Sequence, residues 1–201
     1  MAHALAPELS RLEPIMLPPP RMTGGGPLLE VLAQRRSARE FAPRELDPQL
    51  LSDLLWAAFG INRPDGHRTA PSARNWQEID VYVAISHGVY RFDPKNCRLD
   101  TILDEDIRAM TGMQDFVATA PLNLVYVADL ARMDSGDRTE QRFYSAIDAG
   151  LIAQNVYLFC ASEGLETVVR GLVDRKALAQ RMGLRPEQRV IVAQTIGYPR
   201  Q

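Results

Sequence analysis

Apolar positions along this chain repeat at two spacings. Leu28, Val31 and Leu32 recur at helical spacing behind Pro27 and lead to Arg35 and Arg36, which predicts a short helix. A longer one follows. Asp47 suits its cap, Pro48 its first turn and Gly60 its stop, with Leu50, Leu51, Leu54, Leu55 and Ala58 on one face. Ile79, Val81, Val83 and Ile85 alternate, so a strand is expected there. Residues 89–92 and 97–103 read as a hairpin about Asp93-Pro94-Lys95-Asn96. A short helix is expected over 104–113. The nearly continuous apolar run at 122–127 reads as a strand covered on both faces. Residues 138–163 form the longest helical pattern, apolar almost all round from Ile147, which places that helix at the centre of the fold. A helix over 175–182 and a strand over 189–196 complete the series. These elements predict one α+β domain.

Two stretches fall outside the pattern. Residues 1–27 hold six of the fourteen prolines, among them Pro18-Pro19-Pro20, and then Gly24-Gly25-Gly26, so they read as an extended arm rather than a packed element. Residues 61–77 make a long polar loop rich in Arg, Asn, Pro and Ser, a length that inside a domain usually goes with function or disorder.

Composition removes several classes of function. The chain has 201 residues, 46% of them apolar and 24% charged, and can bury a sizeable core without metal or disulfide staples. A net charge of −2 gives no electrostatic footprint for nucleic acid. Cys97 and Cys160 stand apart and the three histidines are scattered, so neither a disulfide scaffold nor a zinc site is expected. The most apolar stretch carries Asp148, Gln154 and Asn155, too polar to span a bilayer. A cytoplasmic location is the simplest expectation, and a periplasmic one stays open if an export signal has been removed.

Catalytic signatures such as GxSxG, HExxH and GxxxxGK[ST] are absent, and the triple glycine follows no strand, so it is not a dinucleotide fingerprint. Three clusters remain. Arg35-Arg36-Ser37-Ala38-Arg39 puts three guanidiniums and a hydroxyl within five residues, enough to grip a phosphate; alone, the cluster reads better as solvated cations at a helix C-terminus. Pro71-Ser72-Ala73-Arg74-Asn75-Trp76-Gln77 offers small and amide groups to the polar edge of a planar heterocycle; alone, it is an ordinary loop. Val168-Val169-Arg170-Gly171 sets backbone N–H groups beside a glycine, where a ligand can come close.

In this order, together with residues 163–174 and the closing Ile196-Gly197-Tyr198-Pro199, the clusters resemble the nitroreductase family of FMN-dependent oxidoreductases over about residues 28–200. The resemblance implies a central, mainly antiparallel sheet flanked by helices, and a homodimer with two FMN sites at its interface. By position, Arg35, Arg36 and Ser37 correspond to phosphate and ribityl anchors, and Arg39 to the cation near the N1/O2 edge of the isoalloxazine. Pro71, Ser72, Ala73 and Asn75 correspond to the loop that reaches FMN from the other subunit. Val168, Val169, Arg170 and Gly171 correspond to the backbone along the ring, with an N–H toward N5, and Gln114 to a further pyrimidine contact. Arg170 stands where many relatives carry an acid, and only Arg200 follows the GYP motif, where many supply another basic residue. The implied chemistry is ping-pong hydride transfer from NAD(P)H, a transient co-substrate, to a nitroaromatic, quinone or similar acceptor. Dehalogenation, azoline oxidation and non-enzymatic FMN carriage are the alternatives on the same scaffold. No nucleic-acid or membrane partner is implied.

Overall fold

Asp47 accepts the Gln49 amide at 2.9 Å and starts a helix at Pro48, as its pattern requires. The computed structural model describes residues 13–200. Its helices are α1 (Leu28–Gln34), α2 (Pro48–Phe59), α3 (Arg138–Ser162) and α4 (Arg175–Arg181). Its strands are β1 (Ile15–Met16), β2 (Ile79–Ile85), β3 (Gly88–Asp93), β4 (Arg98–Leu103), β5 (Leu122–Asp129), β6 (Glu166–Arg170) and β7 (Gln188–Gly197). They form one sheet in the order β1-β4-β3-β2-β5-β7-β6, and every neighbouring pair is antiparallel. This is the expected α+β class.

The two-residue period decides which side chain enters which layer. Ile79, Val81 and Val83 of β2, with Leu122, Leu124 and Tyr126 of β5, pack under α2 and α3. Tyr82 and Ala84, with Val125 and Val127, face the opposite side, where Leu178 and Met182 cover them. β5 is buried along its whole length. Asp137 caps the 25-residue α3 by accepting the Thr139 amide at 2.7 Å, and Ile152, Ala153, Val156 and Cys160 anchor that helix to the core.

Two expectations are corrected. The arm is packed from residue 13 onward, while residues 1–12 lie outside the described residues. β1 adds to the edge of β4, Leu17 is buried, and Arg21 holds buried Asp53 through both its amide and its Nε at 2.7 Å. Proline runs were read as unpacked, yet carbonyls without a neighbouring N–H still accept: Pro18 O takes the Ser52 hydroxyl and Pro19 O the Gln49 amide group. The helix expected over 104–113 is only a 3-10 turn, Arg108–Thr111. Asp106 bonds the Arg108 amide and guanidinium locally, and so short a segment does not offset a helix nucleus. Residues 166–170, to which the sequence pattern assigns no element, form an edge strand.

Candidate functional site

β6 pairs with β7 on one side only, so its other edge needs partners. Residues 35–38 supply them: the Ala38 amide donates to Thr167 O at 3.0 Å. Tyr157, one turn from the end of α3, closes the rest of the edge. Its hydroxyl accepts the Val169 amide at 3.0 Å and lies 2.8 Å from Ser37 Oγ. The Arg35 guanidinium stacks 5.2 Å from the Tyr157 ring centre. Arg36 is tied to Glu166, its Nε 3.2 Å from Oε1. Arg39 is exposed and makes no side-chain hydrogen bond or ion pair among the described residues. A cavity of about 600 Å³ opens beside Arg35, Arg36, Tyr157, Glu166 and Thr167. Two of the three clusters therefore meet, with Arg35 and Arg39 left free to meet an anion.

Val168 is buried, Val169 half-buried and Gly171 exposed, so backbone at the end of β6 is open to a ligand. The Arg170 side chain points away from it, into the sheet. Its Nε donates to Thr195 Oγ1 at 2.9 Å, Nη1 to Thr111 O at 2.7 Å and Nη2 to Asn123 Oδ1 at 2.9 Å. No carboxylate faces it among the described residues, and burial pulls its guanidinium down to about 10. Gly112 passes so close to this guanidinium that a Cβ has no room. Next to it, Gln114 Oε1 is buried and meets no donor.

The third cluster lies elsewhere. The 71–77 loop carries three residues in the left-handed region, Arg74, Asn75 and Gln77, a conformation that side chains tolerate only under external restraint. The restraints are visible. Ser72 Oγ accepts the Gln77 amide at 3.0 Å, Asn75 Oδ1 accepts from Gln77 Nε2 at 2.9 Å, and the Ala73 amide donates to Asp148 Oδ2 of α3 at 2.9 Å. Pro71 stands exposed beside them. Asp148 and Tyr157 are nine residues apart on one helix, about 13 Å at its rise per residue, so one chain does not bring this loop onto the other two clusters.

Tyr157, Glu166 and Asp148 were not singled out from sequence. Only Glu166 leaves a signal, an acid opening a buried strand; the other two sit within the polar and apolar mix of α3.

The sheet order, the covered β6 edge and the arginine-lined cavity define an α+β protein with a cleft suited to an anionic ligand. Comparison makes this specific. The model of the nitroreductase family matches residues 32–198, and the chain belongs to that family. A nitroreductase-like protein of Methanocaldococcus jannaschii is 36% identical over 156 residues, 72% of this chain and 78% of its own. The crystal structure of a nitroreductase-like protein of Ralstonia eutropha is 46% identical, covers 96% of this chain and 92% of its own, and superposes with a TM-score of 0.90. The NADPH:FMN oxidoreductase of Vibrio harveyi, solved with NAD+, shares the fold at 22% identity, over 87% of this chain and 69% of its own, with a TM-score of 0.66.

Proposed function

We propose that the protein is an FMN-dependent reductase that draws on NAD(P)H and acts as a homodimer on small electron-poor acceptors such as nitroaromatics and quinones. The observation that carries this reading is the meeting of the 35–39 segment with β6 across Tyr157, beside a cavity of about 600 Å³, a size suited to a cofactor. The donor set fits FMN in kind. Arg35 and Ser37 suit a phosphate and ribityl chain, and the exposed Arg39 suits an electron-rich ring edge. The orphaned Gln114 Oε1 is an acceptor for a ring N–H.

When bound, FMN would supply the hydride chemistry that links NAD(P)H to the acceptor. The chain's own work is placement and electrostatics. Arg39 places a positive charge where negative charge accumulates. The exposed backbone at Gly171 lets a planar ring approach without a side chain between them. Pro71, Ser72, Ala73 and Asn75 of a second copy complete the site, because within one copy they lie too far along α3. A cytoplasmic location goes with this reading.

The test is the visible spectrum of the purified protein, followed by anaerobic titration with NADH and NADPH and by turnover with a nitro compound and a quinone. A yellow protein bleached by either nucleotide is expected. A colourless protein that takes up no added FMN sinks the reading.

A further inference from the structure

Beneath the 71–77 loop lies a pair of carboxyls for which the reading above has no use. Glu78 precedes β2 and is fully buried, and neither of its oxygens meets a donor in hydrogen-bonding geometry. Asp148 of α3 is 2% exposed, and its carboxyl lies within hydrogen-bonding reach of Glu78. Its Oδ2 takes the Ala73 amide. The Ser145 hydroxyl neighbours Glu78 and is also buried.

Surrounding charges do not neutralise the pair. Arg68 donates to Gln77 Oε1 and Phe59 O, Arg74 reaches Asp134 and Glu140, and Arg132 holds Asp80 and Gln77 O. Asp129, whose amide bonds Glu78 O, is paired with Arg132 and Arg185. Two neighbouring buried carboxylates without a cation repel each other, whereas one proton between them turns the repulsion into a hydrogen bond. Burial and the neighbouring acid push Glu78 up to about 7, and burial raises Asp148 as well.

We propose that Glu78 and Asp148 are positioning residues for the 71–77 loop: one proton shared by their carboxyls keeps Asp148 on the Ala73 amide and so holds the loop in the left-handed turn that meets the ligand of the neighbouring copy. Loss of that proton frees Asp148 to turn toward solvent, and Arg74, Asn75 and Gln77 lose the anchor that maintains their backbone. The ligand-facing part of this inference rests on the FMN reading; the coupling of the pair to the loop does not.

Two measurements between pH 6 and 9 separate them. The Ala73 amide shift, followed by NMR in the purified protein, is expected to titrate in the native chain and to stay flat in Glu78→Gln, whose carboxamide donates to Asp148 at every pH. FMN affinity in the native protein is expected to fall with rising pH, by up to tenfold per pH unit, the limit for one linked proton. In Glu78→Gln it is expected to stay level, and in Asp148→Ala to be reduced at every pH. An Ala73 amide unmoved over this range, or titrating alike in Glu78→Gln, overturns the proposal. Should the amide titrate while no FMN binds at any pH, the positioning pair stands and the FMN reading fails.

Discussion

Tyr157 Oη sits 2.8 Å from Ser37 Oγ while accepting the Val169 amide at 3.0 Å, so one phenol fastens the arginine segment to the free edge of β6. Val169 is half-buried, and its N–H has no other acceptor among the described bonds. Tyr157→Phe therefore leaves a partly buried donor unpaired, which costs roughly 1–3 kcal/mol. The expected result is faster hydrogen exchange at the Val169 amide and weaker FMN binding, with the exchange of β5 amides unchanged. Uniform acceleration across the sheet would show a general loss of stability instead.

Arg170 makes a different kind of contribution. Four buried acceptors, Thr111 O, Thr111 Oγ1, Asn123 Oδ1 and Thr195 Oγ1, converge on its guanidinium. Arg170→Leu removes the donors and leaves the acceptors, so a loss of roughly 2–5 kcal/mol in unfolding free energy is expected. Chemical denaturation measures it. A loss below 1 kcal/mol would mean that water replaces the guanidinium without difficulty.

Much of this architecture is legible in the chain because its signals are local. Asp47, Pro48 and Gly60 delimit the twelve residues of α2, and the alternation of β2 sorts its side chains into two layers without knowledge of the rest. What escapes depends on partners distant in sequence. β6 has three apolar or β-branched residues between Glu166 and Arg170, too few to show a period, and it becomes a strand because β7 pairs with it. β1 is two residues in the stretch between Pro14 and Pro18 and exists only through β4. The arginine cluster was legible as a motif, but the tie between Arg36 and Glu166 spans 130 residues. The Glu78–Asp148 pair likewise joins a strand entry to a helix centre, and no spacing rule links them.

That pair also makes stability depend on pH. The carboxyl of Glu78 ionises at about 7 in the folded protein and near 4.5 when unfolded, so between these values the folded chain binds more protons than the unfolded one. Stability from this group is complete below pH 4.5 and is lost as pH rises toward and through 7. At about 1.4 kcal/mol per pH unit the loss is at most roughly 3.5 kcal/mol. Glu78→Gln, which cannot ionise, is expected to flatten the decline in melting temperature between pH 5 and 8. An equal decline in both proteins would assign it to other groups.

Arg39 is exposed and free of protein partners among the described residues, unlike Arg36, which is bound to Glu166. A cation held near the ring edge stabilises reduced flavin over oxidised flavin, because the reduced form carries the additional negative charge. Arg39→Gln keeps a hydrogen-bonding group and removes the charge. One charge-assisted interaction is worth about 1.5–3 kcal/mol, so the midpoint potential is expected to fall by roughly 30–60 mV. Redox titration against a reference dye measures the shift, with FMN still bound through Arg35 and Ser37. Equal potentials would mean that Arg39 is an ordinary solvated arginine.

The proposed homodimer draws its support from one stripe of α3. Phe143, Ile147 and Leu151 follow one another at four-residue intervals and are 60%, 42% and 39% exposed, an apolar row on the outer face of the central helix. In a single chain this row is open to water, and the 71–77 loop stays about 13 Å along the helix from Tyr157. In the homodimer proposed above, pairing this stripe with its copy would bury the row, and the loop of one subunit would complete the site of the other. Charges introduced into this row should therefore break the dimer and empty the site together. Ile147→Glu combined with Leu151→Glu leaves the core contacts of Ile152, Ala153 and Val156 untouched, so the subunit is expected to stay folded. Light scattering should report a monomer, circular dichroism a native helix content, and fluorescence a loss of bound FMN. A folded monomer that still holds FMN at micromolar concentration would place the whole site within one chain.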